Sequence, residues 1–155
     1  MDSIAQHWML VSSAENFETS RARGFDLAGM KSRHRRKAER VVPGDRVLFY
    51  LTGLQAFAGT ATATGPYFED EQPIWHSKRD DAYPFRFPIR PDVILPAERF
   101  VPALTLLEDL EYPRKWPREH WHLAFQGNVH LLPARDFALI EQALAAAARA
   151  AAVRP

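Results

Sequence analysis

The segment Arg46-Val47-Leu48-Phe49-Tyr50-Leu51-Thr52 is almost continuously apolar and rich in β-formers, and it limits the fold more than any other stretch of the chain. Such a run needs cover on both faces, the situation of a central strand in a closed or nearly closed sheet. Pro43-Gly44-Asp45 supplies a turn before it and Gly53-Leu54-Gln55 a turn after it. From Ala56 to Thr64 the chain alternates, with threonines at 60, 62 and 64 set against Phe57, Gly59, Ala61 and Ala63. A second strand is therefore expected beside the first. Gly59 inside it points to a bulge or to close approach by another group.

Other elements are arranged around that pair. Trp8-Met9-Leu10-Val11 reads as a first strand, ended by Ser12-Ser13, whose hydroxyls can cap a turn or short helix around Glu15-Asn16-Phe17. Gly24 to Met30 is irregular, and a helix is expected from Ser32 to about Val42. Tyr83 to Ile89, interrupted by proline, reads as an edge strand. A short helix is expected over Leu104 to Leu110, and Leu123 to Val129 reads as a strand ending in a glycine turn. Pro133-Ala134-Arg135-Asp136 opens an Ala-rich terminal helix, with Phe137, Ile140 and Leu144 spaced for one buried face. Twelve prolines, most of them in the second half, argue against a doubly wound α/β fold and for a compact barrel with long loops. At 155 residues, with no internal repeat and no linker, one domain over 1–155 is expected.

Net charge is only +1, but its distribution is uneven. Lys31 to Arg40 carries a local +5, against −4 for everything else. On a helix, Arg33, Arg36, Lys37 and Arg40 fall at i, i+3, i+4 and i+7, a face of like charges that repel one another by roughly 0.2–0.5 kcal/mol per pair. Beside phosphates the same face becomes favourable, so these four and Lys31 are candidates for phosphate contact. The competing reading is a solvated face relieved by Glu39, Glu15, Glu18 and Asp26. Cysteine is absent, which excludes disulfides, thiol catalysis and Cys-ligated zinc. No apolar stretch approaches the roughly 20 residues of a membrane span, so a soluble, cytoplasmic protein with no membrane partner is expected.

A set of ordered motifs carries a family resemblance. These are Trp8-Met9-Leu10-Val11-Ser12 with Glu15-Asn16-Phe17, Pro43-Gly44-Asp45 running into Val47 to Tyr50, Phe57-Ala58-Gly59, Tyr67-Phe68 with Pro73-Ile74-Trp75, and Phe125-Gln126-Gly127-Asn128-Val129. Spanning about residue 7 to residue 144, they resemble the EVE domain family, relatives of PUA, ASCH and YTH modules. The resemblance implies an α+β fold: a PUA-like mixed β-barrel flanked by short helices, with the Ala-rich helix at its C-terminal end. It also implies a pocket at the barrel mouth for a modified base, in DNA or RNA, such as a methylated one. YTH relatives hold a methylated adenine in an aromatic cage.

Reading such a base needs a flat apolar slot, polar groups for the hydrogen-bonding edge and room for the modification. Trp8, Phe57 and Trp75 can supply the slot, though core is the commoner fate of a strand aromatic and competes for Trp8 and Phe57. Ser12, Ser13, Asn16 and Thr52, at or near strand ends, can supply edge contacts. Gln126 and Gly127 join them, since an amide reads a base edge and glycine permits close approach. Trp116 and Trp121 are expected to cover one end of the barrel, with Lys115 and Arg118 available to a backbone. His120 and His122 lack a third ligand at metal spacing, so no metal is expected. Nor is any cofactor. No G-x-S-x-G elbow, P-loop or H-E-x-x-H helix is present. The expectation is a binding module and not an enzyme. The alternatives are an ASCH-type RNA- or nucleoside-processing enzyme using Lys31, and a protein that binds a small nucleotide or metabolite.

Overall fold

A computed structural model describes residues 4–153. In chain order its elements are β1 (His7–Ser12), α1 (Ala14–Ala22), β2 (Leu27–Met30), α2 (Arg35–Glu39), β3 (Arg46–Leu51), β4 (Ala56–Ala63), β5 (Phe68–Glu69), β6 (Phe85–Ile94), β7 (Val101–Pro102), β8 (Val129–Leu131) and α3 (Ala134–Val153). The strands form one curled mixed sheet, a half-barrel in the order β2-β6-β4-β3-β1-β8. β5 adds to β6, and β7 adds to β4. β1 and β3 run parallel and their neighbours are antiparallel.

Alternation along the central strands sorts side chains into two cores. Trp8 and Leu10 of β1, with Val47, Phe49 and Leu51 of β3, face the concave interior beside Phe17, Phe25, Phe85 and Phe87. Met9, Val11, Leu48 and Tyr50 face the convex side, where Phe125, Phe137, Ile140 and Leu144 cover them. The terminal helix thus packs the face its spacing selects. Burial of these side chains, at about 25 cal/mol per Å² of apolar surface, is the main force closing the sheet.

Gly59 meets both expectations placed on it. The β3–β4 register shifts between Phe49 and Tyr50, leaving Ala58 as the extra residue. A Cβ on Gly59 would stand 2.7 Å from the Val93 carbonyl oxygen. The bulge also reverses the facing of the strand. Gly59, Ala61 and Ala63 look inward, while Phe57 turns to the convex core against Tyr50 and Phe125.

Several elements differ from expectation. Leu27–Met30 is a strand, formed by pairing with Phe85–Pro88 rather than by propensity. The Pro-interrupted segment is no edge. β6 pairs β2 through residues 85–88, then passes to β4 through 89–94, with Asp92 unmatched at a register shift beside Pro91. Pro88 stands at the last β2 pairing, opposite Leu27, and Pro91 at the register shift opposite Ala61, places where a missing N–H disrupts the ladder least. The helix expected over Ser32–Val42 is a 3-10 turn, Ser32–His34, followed by the five residues of α2. Leu104–Leu110 holds the end of one 3-10 turn, Ala103–Thr105, and the whole of another, Leu107–Asp109. Arg118–Phe125 is 3-10 helical where a strand was expected from Leu123, because a short apolar run is ambiguous in period. Among the described residues no helix is long and apolar enough to cross a membrane.

Candidate functional site

At one end of the concave core lies a small slot. Its apolar floor is built by Leu10, Phe17, Ala28 and Phe49, and its rim by Ser12, Asn16, Ser20, Gly29, Trp75, Tyr83 and Asn128. The Ser13 hydroxyl accepts from the Asn16 amide at 3.1 Å and caps α1, which fixes Asn16 beside the end of β1. From there the Asn16 side chain donates to His76 O at 2.8 Å and accepts from His76 N at 2.8 Å. This reciprocal pair fastens the 66–84 loop to α1.

The loop presents Trp75. Its indole N–H donates to the Ser20 hydroxyl at 2.9 Å, and its ring meets Tyr83 edge-on with centroids 5.9 Å apart. Gly29 makes this possible, since a Cβ there would lie 2.6 Å from the indole. Tyr83 has φ +52°, a left-handed conformation that a bulky residue rarely adopts. Asp81 and Arg86 hold it there: the Tyr83 amide donates to the Asp81 carboxylate at 3.0 Å, and Arg86 Nε donates to the Tyr83 carbonyl at 3.2 Å. Burial pushes the Tyr83 phenol up and Asp81 adds to this, with Asn16 opposing, so the hydroxyl stays protonated.

Arg86 is the central support of the loop. It is fully buried and also donates to the carbonyls of Gln72 and Ala82, while its guanidinium lies 5.4 Å from the Trp75 ring and 3.5 Å from the Asp70 carboxylate. Sequence reasoning missed it, because an arginine between Phe85 and Phe87 in an assumed edge strand reads as solvent-facing. Asn128 was passed over in favour of its neighbours Gln126 and Gly127. It is buried, accepts from Lys31 N at 2.9 Å and donates to Val11 O at 3.3 Å. Asn128 retains one amide hydrogen and one lone pair for a base edge, whereas Asn16, whose amide group serves both His76 O and the Tyr83 hydroxyl, retains one lone pair.

The candidates named from sequence thus separate. Ser12, Asn16 and Trp75 line the slot, and Ser13 supports it as the cap of α1. Trp8 is in the core, its indole donating to the buried Asp45 at 3.0 Å, and Phe57 lies on the convex side. Thr52 is exposed in the turn after β3, and Gln126 and Gly127 are exposed in the turn before β8.

Basic side chains gather beside that second turn. Lys37 donates to Val129 O at 3.2 Å, and Arg33 lies beside Gly127. Arg36 and Arg40 are both exposed, Arg40 leaning on Trp8, 5.9 Å from its ring, and the 3-10 turn at Ser32–His34 takes Arg33 out of the helical spacing. Lys31 extends over the Tyr83 ring at 5.6 Å, and among the described residues no carboxylate lies within ion-pair distance of its ammonium. The carboxylate partner that an amide-hydrolysing lysine calls for is not beside it. Asp81 is lined up instead with Ser32: burial opposes its ionisation, but bonds from the Ser32 hydroxyl and amide and the Tyr83 amide outweigh this and hold the carboxyl low.

The patch is strongly positive where His34 sits. Burial leads, and Lys37, Arg33, His130 and Lys31 add, in pushing its pKa down from 6.5 to about 4. The folded state then resists a proton that the unfolded chain accepts. Above 6.5 both states are neutral and nothing changes. As pH falls from 6.5 toward 4 the unfolded state binds more protons, so stability drops through that window. His34→Gln is expected to flatten the acid limb of a thermal-unfolding profile, and an unchanged limb would refute this role.

Comparison with known proteins follows the same lines. A family model described as EVE domain matches residues 6–143. The UPF0310 protein PH1033 of Pyrococcus horikoshii is 25% identical over 150 residues, covering 89% of this chain and 98% of that one. Among solved structures, the YTH domain-containing protein mmi1 in complex with RNA matches with a TM-score of 0.68 at 10% identity, covering 97% of this chain and 87% of that chain. The YTH domain of the Zygosaccharomyces rouxii MRB1 protein, in complex with N6-methyladenosine RNA, matches with a TM-score of 0.62 at 19% identity, over 90% of this chain and 86% of that chain.

Proposed function

The chain belongs to the EVE domain family, and from that membership and the geometry of the slot we propose that it is a nucleic-acid-binding module accepting one flipped or unpaired modified base. The observation that carries this reading is the rim itself. An indole packed on Gly29 shares the rim with two buried asparagines, of which Asn128 keeps a free donor and acceptor and Asn16 a free acceptor. Trp75 is the stacking surface, Ser12, Asn16 and Asn128 read the base edge, and Lys31, Arg33 and Lys37 hold flanking phosphates. The RNA-bound YTH neighbours, one of them with N6-methyladenosine, support the reading at the level of fold.

The slot measures about 40 Å³, far below the roughly 300–1,000 Å³ of ligand pockets. A base therefore enters only as the Trp75–Tyr83 wall moves outward. The strained Tyr83 backbone lowers the free energy required, because a conformation held by its neighbours relaxes when the loop shifts.

A panel of single-stranded and duplex oligonucleotides, DNA and RNA, with and without base methylation or hydroxymethylation, tests the proposal. Tighter binding to a modified member than to its plain counterpart is expected. If three lysine and arginine side chains meet phosphates on a single strand, the logarithm of affinity falls with that of salt at a slope of about 2. No binding to any member at low salt overturns the proposal.

A further inference from the structure

A second cavity, of about 220 Å³, opens between the 3-10 segments on the convex side. Trp116, Trp121, Pro113 and Leu107 form its apolar walls, and Arg114 and Arg118 stand at its edge. Trp116 is 39% exposed, unusual for an indole in a molecule where Trp8 is fully buried. Glu108 also lines the cavity but is neutralised by an ion pair with Arg118.

The cavity is built, not incidental. Asp136, fully buried at the start of α3, accepts from the Glu111 amide at 3.0 Å and the Tyr112 amide at 2.8 Å, fixing the entry of the Tyr112–Lys115 turn. The turn sets the Lys115 ammonium 4.0 Å from the centroid of the Tyr112 ring. Tyr112 in turn shares a hydrogen bond of 2.8 Å with His130 Nδ1. Burial leads in holding His130 below its usual value, its bond to the Gln126 carbonyl opposes this, and Lys37 and Lys115 add to the lowering. Lys37 belongs to the patch beside the slot. Lys37 donates to Val129 O, between Asn128 of the slot rim and His130, so cations and aromatic rings follow one another from the edge of the slot through His130 and Tyr112 to the turn that precedes Trp116.

We infer that this cavity is a second base site, in which Trp116 stacks a neighbouring nucleobase of the same single strand whose modified base occupies the slot, with Lys37 and Lys115 on the intervening phosphates. The inference rests on the function proposed above. A neutral peptide would use the indoles but not the row of cations. A free phosphate would use the cations but not the indoles. A single strand uses both, since stacking on an exposed aromatic face is tolerant of sequence and needs unpaired bases.

Trp116→Ala, compared with the wild-type chain, separates the two levels. Titrations would use the single-stranded oligonucleotide the wild type binds best and, separately, its free modified nucleoside. The substitution is expected to weaken the oligonucleotide by about 10-fold, the worth of one stacked base. Nucleoside binding in the slot stays unchanged, and Trp116→Tyr restores most of the loss. Equal oligonucleotide affinity for Trp116→Ala and wild type overturns the second site and leaves the first intact, as would be found if the cavity docks a protein instead. A wild-type chain that binds no oligonucleotide overturns both.

Discussion

Trp75→Ala is expected to reduce affinity for a modified-base oligonucleotide by roughly 10- to 100-fold, the range set by loss of one aromatic stacking surface. The residue is half-buried in a polar loop and joins the core only at its edge, against Gly29 and Tyr83. The fold should persist. Trp75→Phe keeps a ring but loses the bond to Ser20, so it is expected to retain part of the affinity while placing the ring less well. Gly29→Ala reaches the same wall from beneath, because its Cβ would occupy space the indole fills. Calorimetric titration with one modified oligonucleotide checks all three. If Trp75→Ala binds as wild type does, the base is not stacked in this slot.

The reach of sequence reading followed how locally each feature is encoded. β3 is written in a seven-residue apolar run, β4 in alternation and α3 in helical spacing; the two strands lie within a residue of their expected bounds, and the helix opens at Ala134, inside the Pro133–Asp136 segment expected to start it. Gly59 could be read because a glycine inside a strand has few reasons to be there. The slot was visible where a residue stands out against its surroundings. Trp75 in a polar loop and Asn16 at a strand end are of that kind. Gly29, Tyr83, Arg86 and Asn128 are not: Gly29 and Asn128 owe their places to partners more than 40 residues away, Tyr83 to a left-handed backbone, and Arg86 to loop carbonyls that curl back over it without any periodic signal. Phe57 shows the opposite failure: its alternation is regular on paper, and the bulge at Ala58 turns it to the other face. Periodicity also misled at Ser32–Arg40, where the basic face was drawn on a helix that the 3-10 turn interrupts.

Arg86 carries the largest expected effect on stability. Its guanidinium binds three carbonyls, those of Gln72, Ala82 and Tyr83, in a fully buried position where no water is at hand to replace it. Burial pushes its pKa down and Asp70 opposes this, yet an arginine remains charged across any working pH. Arg86→Met keeps the length and apolar stem but leaves those carbonyls without their donor, at a cost of about 3 kcal/mol. For a chain of this size that lowers Tm by about 10 °C. Arg86→Lys is no rescue, because a single ammonium cannot match a planar fork reaching three acceptors. The loss should not be confined to stability. Well below the Tm of the variant, oligonucleotide affinity is expected to fall as well, because the Tyr83 carbonyl is released from its left-handed setting and Trp75 loses the cation beneath its ring. Differential scanning calorimetry beside titration separates the two consequences. A Tm within about 2 °C of wild type would mean that the loop is held by Asn16 and Ser20 alone, and that the buried arginine is a passenger.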